Sequence, residues 1–288
     1  MSHAHLPHPS SWTPLVERAL AEDLGSGDVT SNACLPASLE VEAEIEARAP
    51  LVVCGLEVAA ACFAAVDPAL AFSPLRQDGE HVAAGTALAR IRGNARALFA
   101  GERIALNFLG RLCGIATLVR SYVEAVAGTR ARILDTRKTL PGWRALDKYA
   151  VAVGGGTNHR FGLYDAVLIK DNHIAAAGGV GAAVKAARAS AAPHLAIQCE
   201  VESLEQADEA LQAGAQLLLL DNRTPAELRA FVARFGERAP LEASGGIHLA
   251  NVRAVAETGV HRISIGALTH SAPAADVALE VRARKAAP

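Results

Sequence analysis

Gln216-Leu217-Leu218-Leu219-Leu220-Asp221 sets four consecutive leucines before a carboxylate. A half-wet strand alternates apolar with polar, whereas an unbroken aliphatic run of strand length reads as a strand covered on both faces, as parallel strands are. Five more runs share this form. Upstream lie Ala131-Arg-Ile-Leu-Asp135, Ala166-Val-Leu-Ile-Lys170 and Ala196-Ile-Gln-Cys-Glu200; downstream lie Leu241-Glu-Ala-Ser-Gly245 and Arg262-Ile-Ser-Ile-Gly266. Each ends on a charged residue, Ser-Gly or Gly, and each is followed by a helix-like segment. Functional groups spread over successive strand ends mark an α/β barrel, whereas an open doubly wound sheet concentrates them at one switch point. With six or seven countable strands, the expected barrel is incomplete: TIM-like, with fewer than eight strands.

The strand ends make up an inventory. Asp135-Thr136-Arg137-Lys138-Thr139 gathers cations where a strand ends, and is answered by His159-Arg160 and by Lys170-Asp171-Asn172-His173. Lysine occurs at just five positions, 138, 148, 170, 185 and 285, and two of these end strands, which suggests selection for a compact ammonium. Arg137, Lys138, His159, Arg160 and Lys170 supply cations and donors for carboxylate or phosphate. Glu200 and Asp221 suit ribose hydroxyls or a hydrated Mg²⁺. Ser244-Gly245-Gly246 and Gly266-Ala267 place small residues and backbone N–H groups before helices, as phosphate cradles do. The ligands implied are a phosphorylated sugar and a polycarboxylate. Taken singly, a strand-end acid also reads as a helix cap and Ser-Gly-Gly as a tight turn; coincidence at six ends favours a site. Gly154-Gly155-Gly156 reads equally as a substrate loop or a helix stop, and Asn172 and His173 as chemical or capping groups.

Net charge of -2 and 20% charged residues leave no global field for nucleic acid or anionic membrane. Five cysteines without a CxxC pair, Cys34, Cys54, Cys62, Cys113 and Cys199, read as reduced, buried thiols of a cytoplasmic enzyme. No leader pattern and no apolar run of membrane length is apparent, so neither export nor a membrane span is expected. His3, His5 and His8 could bind a metal but read better as a polar tail.

Before residue 110 the pattern changes. Residues 12–24 read as an amphipathic helix, 41–49 as a half-buried strand, and 78–93 as glycine-punctuated strands of a small sandwich or lipoyl-like hammerhead, with no lysine at a hairpin tip for a carrier role. A long helical pattern over residues 95–127 carries Arg103, either a solvated charge or a site residue. The expected organisation is a sandwich domain over 1–110, a barrel over 111–273, and a C-terminal helix over about 274–288 packing back on the first domain.

These residues resemble the quinolinate phosphoribosyltransferases, also called carboxylating nicotinate-nucleotide pyrophosphorylases. The match runs through Glu22-Asp-Leu-Gly-Ser-Gly-Asp-Val-Thr30, Gly101-Glu-Arg-Ile-Ala-Leu-Asn-Phe-Leu109, Asp135-Thr-Arg-Lys-Thr-Leu-Pro-Gly142, Asn158-His-Arg160, Ile169-Lys-Asp-Asn-His173, Glu200-Val-Glu202, Leu220-Asp-Asn222 and Ser264-Ile-Gly-Ala267. The resemblance implies an N-terminal α/β sandwich, a C-terminal incomplete barrel and a cytoplasmic homodimer in which Arg103 reaches the neighbouring subunit's site. It implies that Arg137, His159, Arg160 and Lys170 surround quinolinate, beside Thr136. Lys138, Glu200 and Asp221, the catalytic candidates, would face phosphoribosyl pyrophosphate and its Mg²⁺, the metal held by Glu200 and Asp221 through water. Ser244, Gly245, Gly246, Ile265, Gly266 and Ala267 would hold the 5′-phosphate. Glu202 competes with Glu200 as the working acid, and either Lys138 or water could protonate C2 after decarboxylation. Rival readings are a paralogue found with molybdate transport genes, a Schiff-base aldolase using Lys170, and a non-enzymatic binding protein.

Overall fold

The computed structural model describes residues 4–285, so His3 and the last three residues of the expected C-terminal helix lie outside the described residues. After a 3₁₀ turn at Pro9–Ser11 the chain forms α1 (Thr13–Leu24), α2 (Val29–Cys34), β1 (Glu40–Ala47), β2 (Leu51–Val52), α3 (Leu56–Val66), β3 (Ala71–Pro74), β4 (His81–Val82), β5 (Ala87–Asn94) and α4 (Ala95–Ala125). There follow β6 (Arg132–Leu134), α5 (Arg144–Val153), β7 (Val167–Ile169), α6 (Asp171–Ala177), α7 (Val180–Ser190), β8 (Ile197–Glu200), α8 (Leu204–Ala213) and β9 (Leu217–Asp221). The last elements are α9 (Pro225–Phe235), β10 (Leu241–Ser244), α10 (Leu249–Ala256), β11 (Arg262–Ser264), α11 (Ala267–His270) and β12 (Val277–Lys285). Two compact units result, neither contiguous: one takes the chain up to Arg120, Thr139–Gly155 and everything from Leu268, and the other takes Ser121–Lys138 and Gly156–Ala267. A single cut at residue 110 therefore misses the return at Thr139–Gly155, while the expected C-terminal return begins at Leu268.

The first unit is built on an antiparallel sheet in the order β12-β1-β5-β3, with β2 and β4 paired separately. In β1, Val41, Ala43, Ile45 and Ala47 are buried, while Glu42 and Glu44 meet Arg92 and Arg90 directly across on β5. Arg282 of β12 also reaches Glu44, at 3.1 Å. Exposed pairs of this kind set register more than they add stability. The glycine-punctuated stretch is thus split between the two sheets rather than forming a hammerhead.

The C-terminal segment is a correction. It is a strand, β12, paired along β1 from Ala47↔Val277 to Glu40↔Lys285, and not a helix. Val277-Ala-Leu-Glu-Val-Arg-Ala283 has a two-residue period, with apolar Val277, Leu279, Val281 and Ala283 at alternate positions and Glu280 and Arg282 between them, and β1 offered an edge whose N–H and C=O groups needed partners.

The match over residues 22–30 acquires a structural role at its end. Asp28 caps α2 by accepting the N–H groups of Thr30 and Ser31, both at 3.0 Å, as well as the Ser31 hydroxyl, which together hold its carboxyl below the usual range. Cys34, the last residue of α2, is exposed; the other four cysteines are buried as expected.

By length and composition α4 could cross a bilayer, which the run-by-run reading of the sequence did not anticipate, but 67% of its apolar window is buried within the structure, as in a core helix. Arg111 on α4 explains the return of Thr139–Gly155 to the first unit: Nε and Nη2 grip Asp147 of α5 at 2.9 and 2.7 Å, beside Trp143, which stacks on Phe108. Asp147 has no solvent exposure, and burial outweighs the Arg111 pairing to push its carboxyl above the usual range. Gly154 ends α5 where a Cβ would lie 2.6 Å from the Ala116 carbonyl, so this glycine serves close helix packing. Removing one partner strands a buried charge. Asp147→Ala is expected to lower unfolding free energy by about 3–5 kcal/mol in urea titrations, and a loss below about 1 kcal/mol would contradict the buried pair.

In the second unit all six anticipated runs form strands, every ladder parallel, in the order β6-β11-β10-β9-β8-β7. From β7 to β11 strands adjacent in sequence are paired in space, and the last, β11, lies beside the first, β6, the winding of a barrel rather than of a doubly wound sheet. Among the described residues no ladder joins β6 to β7. Instead Thr157 bridges in parallel to Leu134, with its N–H on the Ile133 carbonyl at 2.8 Å, so the segment leading to His159 lies along the otherwise open edge of β6.

Candidate active site

Register aligns the strand ends: Asp221 stands opposite Ser244, Ser244 opposite Ser264, and Ser264 opposite Leu134. Thr136, Arg137, Lys138, His159, Arg160, Lys170, Glu200, Asp221, the 244–246 turn and residues 265–267 all belong to the second unit and follow or end its strands. Arg103 belongs to the first unit, exposed on α4.

The His159-Arg160 pair is anchored from below. Asp135, fully buried just after β6, accepts the His159 backbone N–H at 2.7 Å. The Arg160 guanidinium donates to the Ala166 carbonyl at 3.1 Å. Burial first, then the nearby Arg137 charge, depresses the Arg160 pKa, so two like charges share one region; such crowding is stabilised by a multiply charged anion.

Lys170 sits where β7 passes into α6. His173 Nδ1 accepts the Lys170 N–H at 3.1 Å, which makes His173 a capping group, and Asp171 Oδ1 accepts the Asn172 N–H at 2.8 Å. The Lys170 ammonium lies 3.0 Å from Glu200 Oε2, while that oxygen is buried and makes no hydrogen bond of good geometry. Glu200 therefore faces the strand-end region, whereas Glu202 is exposed two residues on, its N–H bound to Gln206.

Asp221 is coupled to the Ser-Gly-Gly turn. Asn222, the sole non-glycine residue at positive φ among the described residues, donates its amide to Asp221 Oδ2 at 2.9 Å and its backbone N–H to the Ser244 carbonyl at 2.8 Å. Gly245 has φ +81°, and a Cβ there would lie 2.2 Å from Asn222 Oδ1 and 2.9 Å from Asp221 Oδ1. Only glycine accommodates this approach. Between Gly246 and α10 lie only Ile247 and the N-cap His248, so the cradle is a loop ahead of the helix rather than its first residues.

Beneath the strand ends lies a polar cluster absent from the sequence inventory. Gln198 of β8 and Glu242 of β10 are 4% and 1% exposed; Gln198 Nε2 donates to Glu242 Oε2 at 3.1 Å, and His159 Nε2 faces both side chains. The signal was a polar residue inside an apolar run: Ile197-Gln198-Cys199, Leu241-Glu242-Ala243 and Ile263-Ser264-Ile265.

Among the described residues no three His, Cys, Asp or Glu side chains gather as a metal cage. Glu200 and Asp221 offer hard oxygen donors at neighbouring strand ends, which fits a hydrated Mg²⁺ carried mainly by a ligand's phosphates. The arrangement as a whole can hold a polycarboxylate beside a phosphorylated sugar.

Residues 115–280 match the family model described as quinolinate phosphoribosyl transferase, C-terminal domain, and residues 28–113 match its N-terminal domain. The nicotinate-nucleotide pyrophosphorylase [carboxylating] of Mycobacterium leprae is 45% identical over 272 residues, 92% of this chain and 95% of that protein. A probable enzyme of the same name from Bacillus subtilis is 42% identical, covering 93% and 92%. The solved nicotinate-nucleotide pyrophosphorylase of Francisella tularensis superposes with a TM-score of 0.92 at 35% identity, over 98% of this chain and 100% of that one.

Proposed function

Because the chain belongs to the quinolinate phosphoribosyltransferase family, we propose that the strand-end groups of its second unit carry the family's reaction. It is a pentosyltransferase of NAD biosynthesis that moves the phosphoribosyl group of phosphoribosyl pyrophosphate to the ring nitrogen of quinolinate, giving nicotinate mononucleotide, pyrophosphate and CO₂. The observation that carries the site assignment is the alignment of Arg137, Arg160, Lys170, Glu200, Asp221 and the 244–246 turn at successive ends of one parallel sheet.

Arg137, Arg160 and Lys170 hold the two carboxylates of quinolinate, with His159 beside them and Thr136 at the strand end. Quinolinate then relieves the Arg137–Arg160 repulsion. The ribose of the second substrate lies over Glu200 and Asp221, and its 5′-phosphate occupies the turn at Ser244, Gly245 and Gly246 and the loop at Ile265, Gly266 and Ala267. Glu200 and Asp221 would hold Mg²⁺, which would supply charge neutralisation for the pyrophosphate. Attack of the ring nitrogen on C1 passes through a sugar with cationic character, so alignment is the chain's main contribution. The nitrogen is then quaternary, and loss of the adjacent carboxylate leaves a carbanion stabilised by the positive ring; Lys138 stands as proton donor to C2, directly or through water.

The working unit is a cytoplasmic homodimer in which Arg103 completes the neighbouring subunit's quinolinate site; its exposure on α4 leaves it available for that role. Mixing two inactive variants, Arg103→Ala and Lys138→Ala, is then expected to restore activity, because one mixed site carries both native residues. A mixture as inactive as its parts would place Arg103 in its own subunit's site or outside the chemistry. Gly245→Ala is expected to displace Asp221 and Asn222 and to raise KM for phosphoribosyl pyrophosphate by at least about tenfold; an unchanged KM would remove the turn from the phosphate site.

The function is tested with purified protein, quinolinate, phosphoribosyl pyrophosphate and Mg²⁺, with nicotinate as control substrate. Nicotinate mononucleotide and CO₂ are expected from quinolinate alone, and chelation of Mg²⁺ should stop both. Nicotinate leaves cations placed for two carboxylates partly unpaired, which excludes it. Product from nicotinate without CO₂ would mean that these cations hold a different anion, and no product from either substrate would favour the transport-linked paralogue.

A further inference from the structure

His159 has protein groups on both ring nitrogens. Nδ1 accepts the backbone N–H of Arg160 at 2.7 Å, so the ring proton of this arrangement resides on Nε2. Nε2 lies 3.1 Å from Gln198 Oε1 and 3.3 Å from Glu242 Oε1. Gln198 also donates to the second Glu242 oxygen, so both of its amide atoms are engaged. A carboxylate 1% exposed is retained in an apolar strand only if partners compensate its lost hydration. Burial pushes the Glu242 carboxyl up, but His159, Ser264 and Gln198 outweigh it and hold the group below the usual glutamate range.

We propose that Glu242, with Gln198, is a positioning residue for the reaction: it holds His159 in the Nε2–H form, whose Nδ1 seats the Arg160 backbone and so aims the Arg160 guanidinium at a substrate carboxylate. The chain of contacts is continuous from β10 and β8 through the imidazole to Arg160, and Asp135 pins the His159 N–H at the other end. The imidazole acts on Arg160 rather than on the ligand. Glu242 selects the tautomer because a carboxylate only accepts; an Nδ1–H ring would present a lone pair to it and a proton to the Arg160 N–H. The assignment rests on the reading that Arg160 holds quinolinate.

The test joins kinetics with ¹⁵N spectra of histidine-labelled protein. Wild-type His159 is expected to show the Nε2–H signature. Glu242→Gln is expected to raise KM for quinolinate by at least about tenfold while KM for phosphoribosyl pyrophosphate stays within about twofold. In His159→Ala nothing remains to be positioned, so adding Glu242→Gln should cost nothing further. An Nδ1–H spectrum in the wild type, an equal loss in both KM values, or full additivity with His159→Ala would overturn the proposal. If Glu242→Gln does not fold, Gln198→Met removes the other arm and must show the same split in KM; its absence overturns the proposal equally. Arg160→Ala separates the two readings: should it leave quinolinate KM unchanged, the assignment of Arg160 fails, and the spectra alone then decide whether Glu242 sets the tautomer.

Discussion

Arg160→Ala is expected to lower kcat/KM for quinolinate by about 10³-fold, the loss of two charge-assisted hydrogen bonds at roughly 2 kcal/mol each. The effect should fall on quinolinate, with KM for phosphoribosyl pyrophosphate nearly unchanged, because Arg160 sits beside Arg137 and is anchored through Ala166 rather than through the Asp221–Gly245 turn. The guanidinium fork meets a planar carboxylate with two donors, which an ammonium cannot match, so Arg160→Lys should recover only part of the loss. Steady-state kinetics with each substrate varied in turn checks this. An equal effect on both substrates would mean that Arg160 supports the fold of the site rather than one ligand.

The second large effect is expected at Lys138. Lys138→Ala should reduce kcat by about 10²–10³-fold with smaller changes in either KM, the signature of a group that acts when charge develops rather than when substrate binds. Lys138 leaves the end of β6 two residues after Thr136, whose hydroxyl accepts the Lys138 N–H at 3.0 Å and fixes the direction of the turn. Single-turnover measurement of pyrophosphate, CO₂ and nicotinate mononucleotide separates transfer from decarboxylation and protonation: loss of a proton donor to C2 slows formation of the mononucleotide more than pyrophosphate release. Near-normal turnover in Lys138→Ala would refute a chemical role.

The barrel was legible in the sequence because burial on both faces removes alternation, and Leu217 to Leu220 shows this without ambiguity. The strand-end groups were legible for the related reason that charges have no place in such a run except where it stops. Glu242 and Gln198 are the exception: each stands one residue inside its strand, where the side chain turns to the interior, and nothing local states that His159, 39 and 83 residues away, will meet them there. The division into units was hidden for a like reason. Nothing local states that Asp147 will meet Arg111, and the C-terminal segment, expected as a helix, is a strand because it meets the edge of β1. Each miss is a contact between residues distant in sequence, outweighing a local preference.

The most direct measurement is a crystal structure of the protein with quinolinate and a non-reactive phosphoribosyl pyrophosphate analogue bound together. The pyridine dicarboxylate is expected against Arg137, Arg160 and Lys170, with the Lys170–Glu200 ion pair opened, and the 5′-phosphate against the 244–246 turn and residues 265–267. A dicarboxylate bound away from the ends of β6 and β7, or a phosphate held elsewhere than at the ends of β10 and β11, would contradict the account.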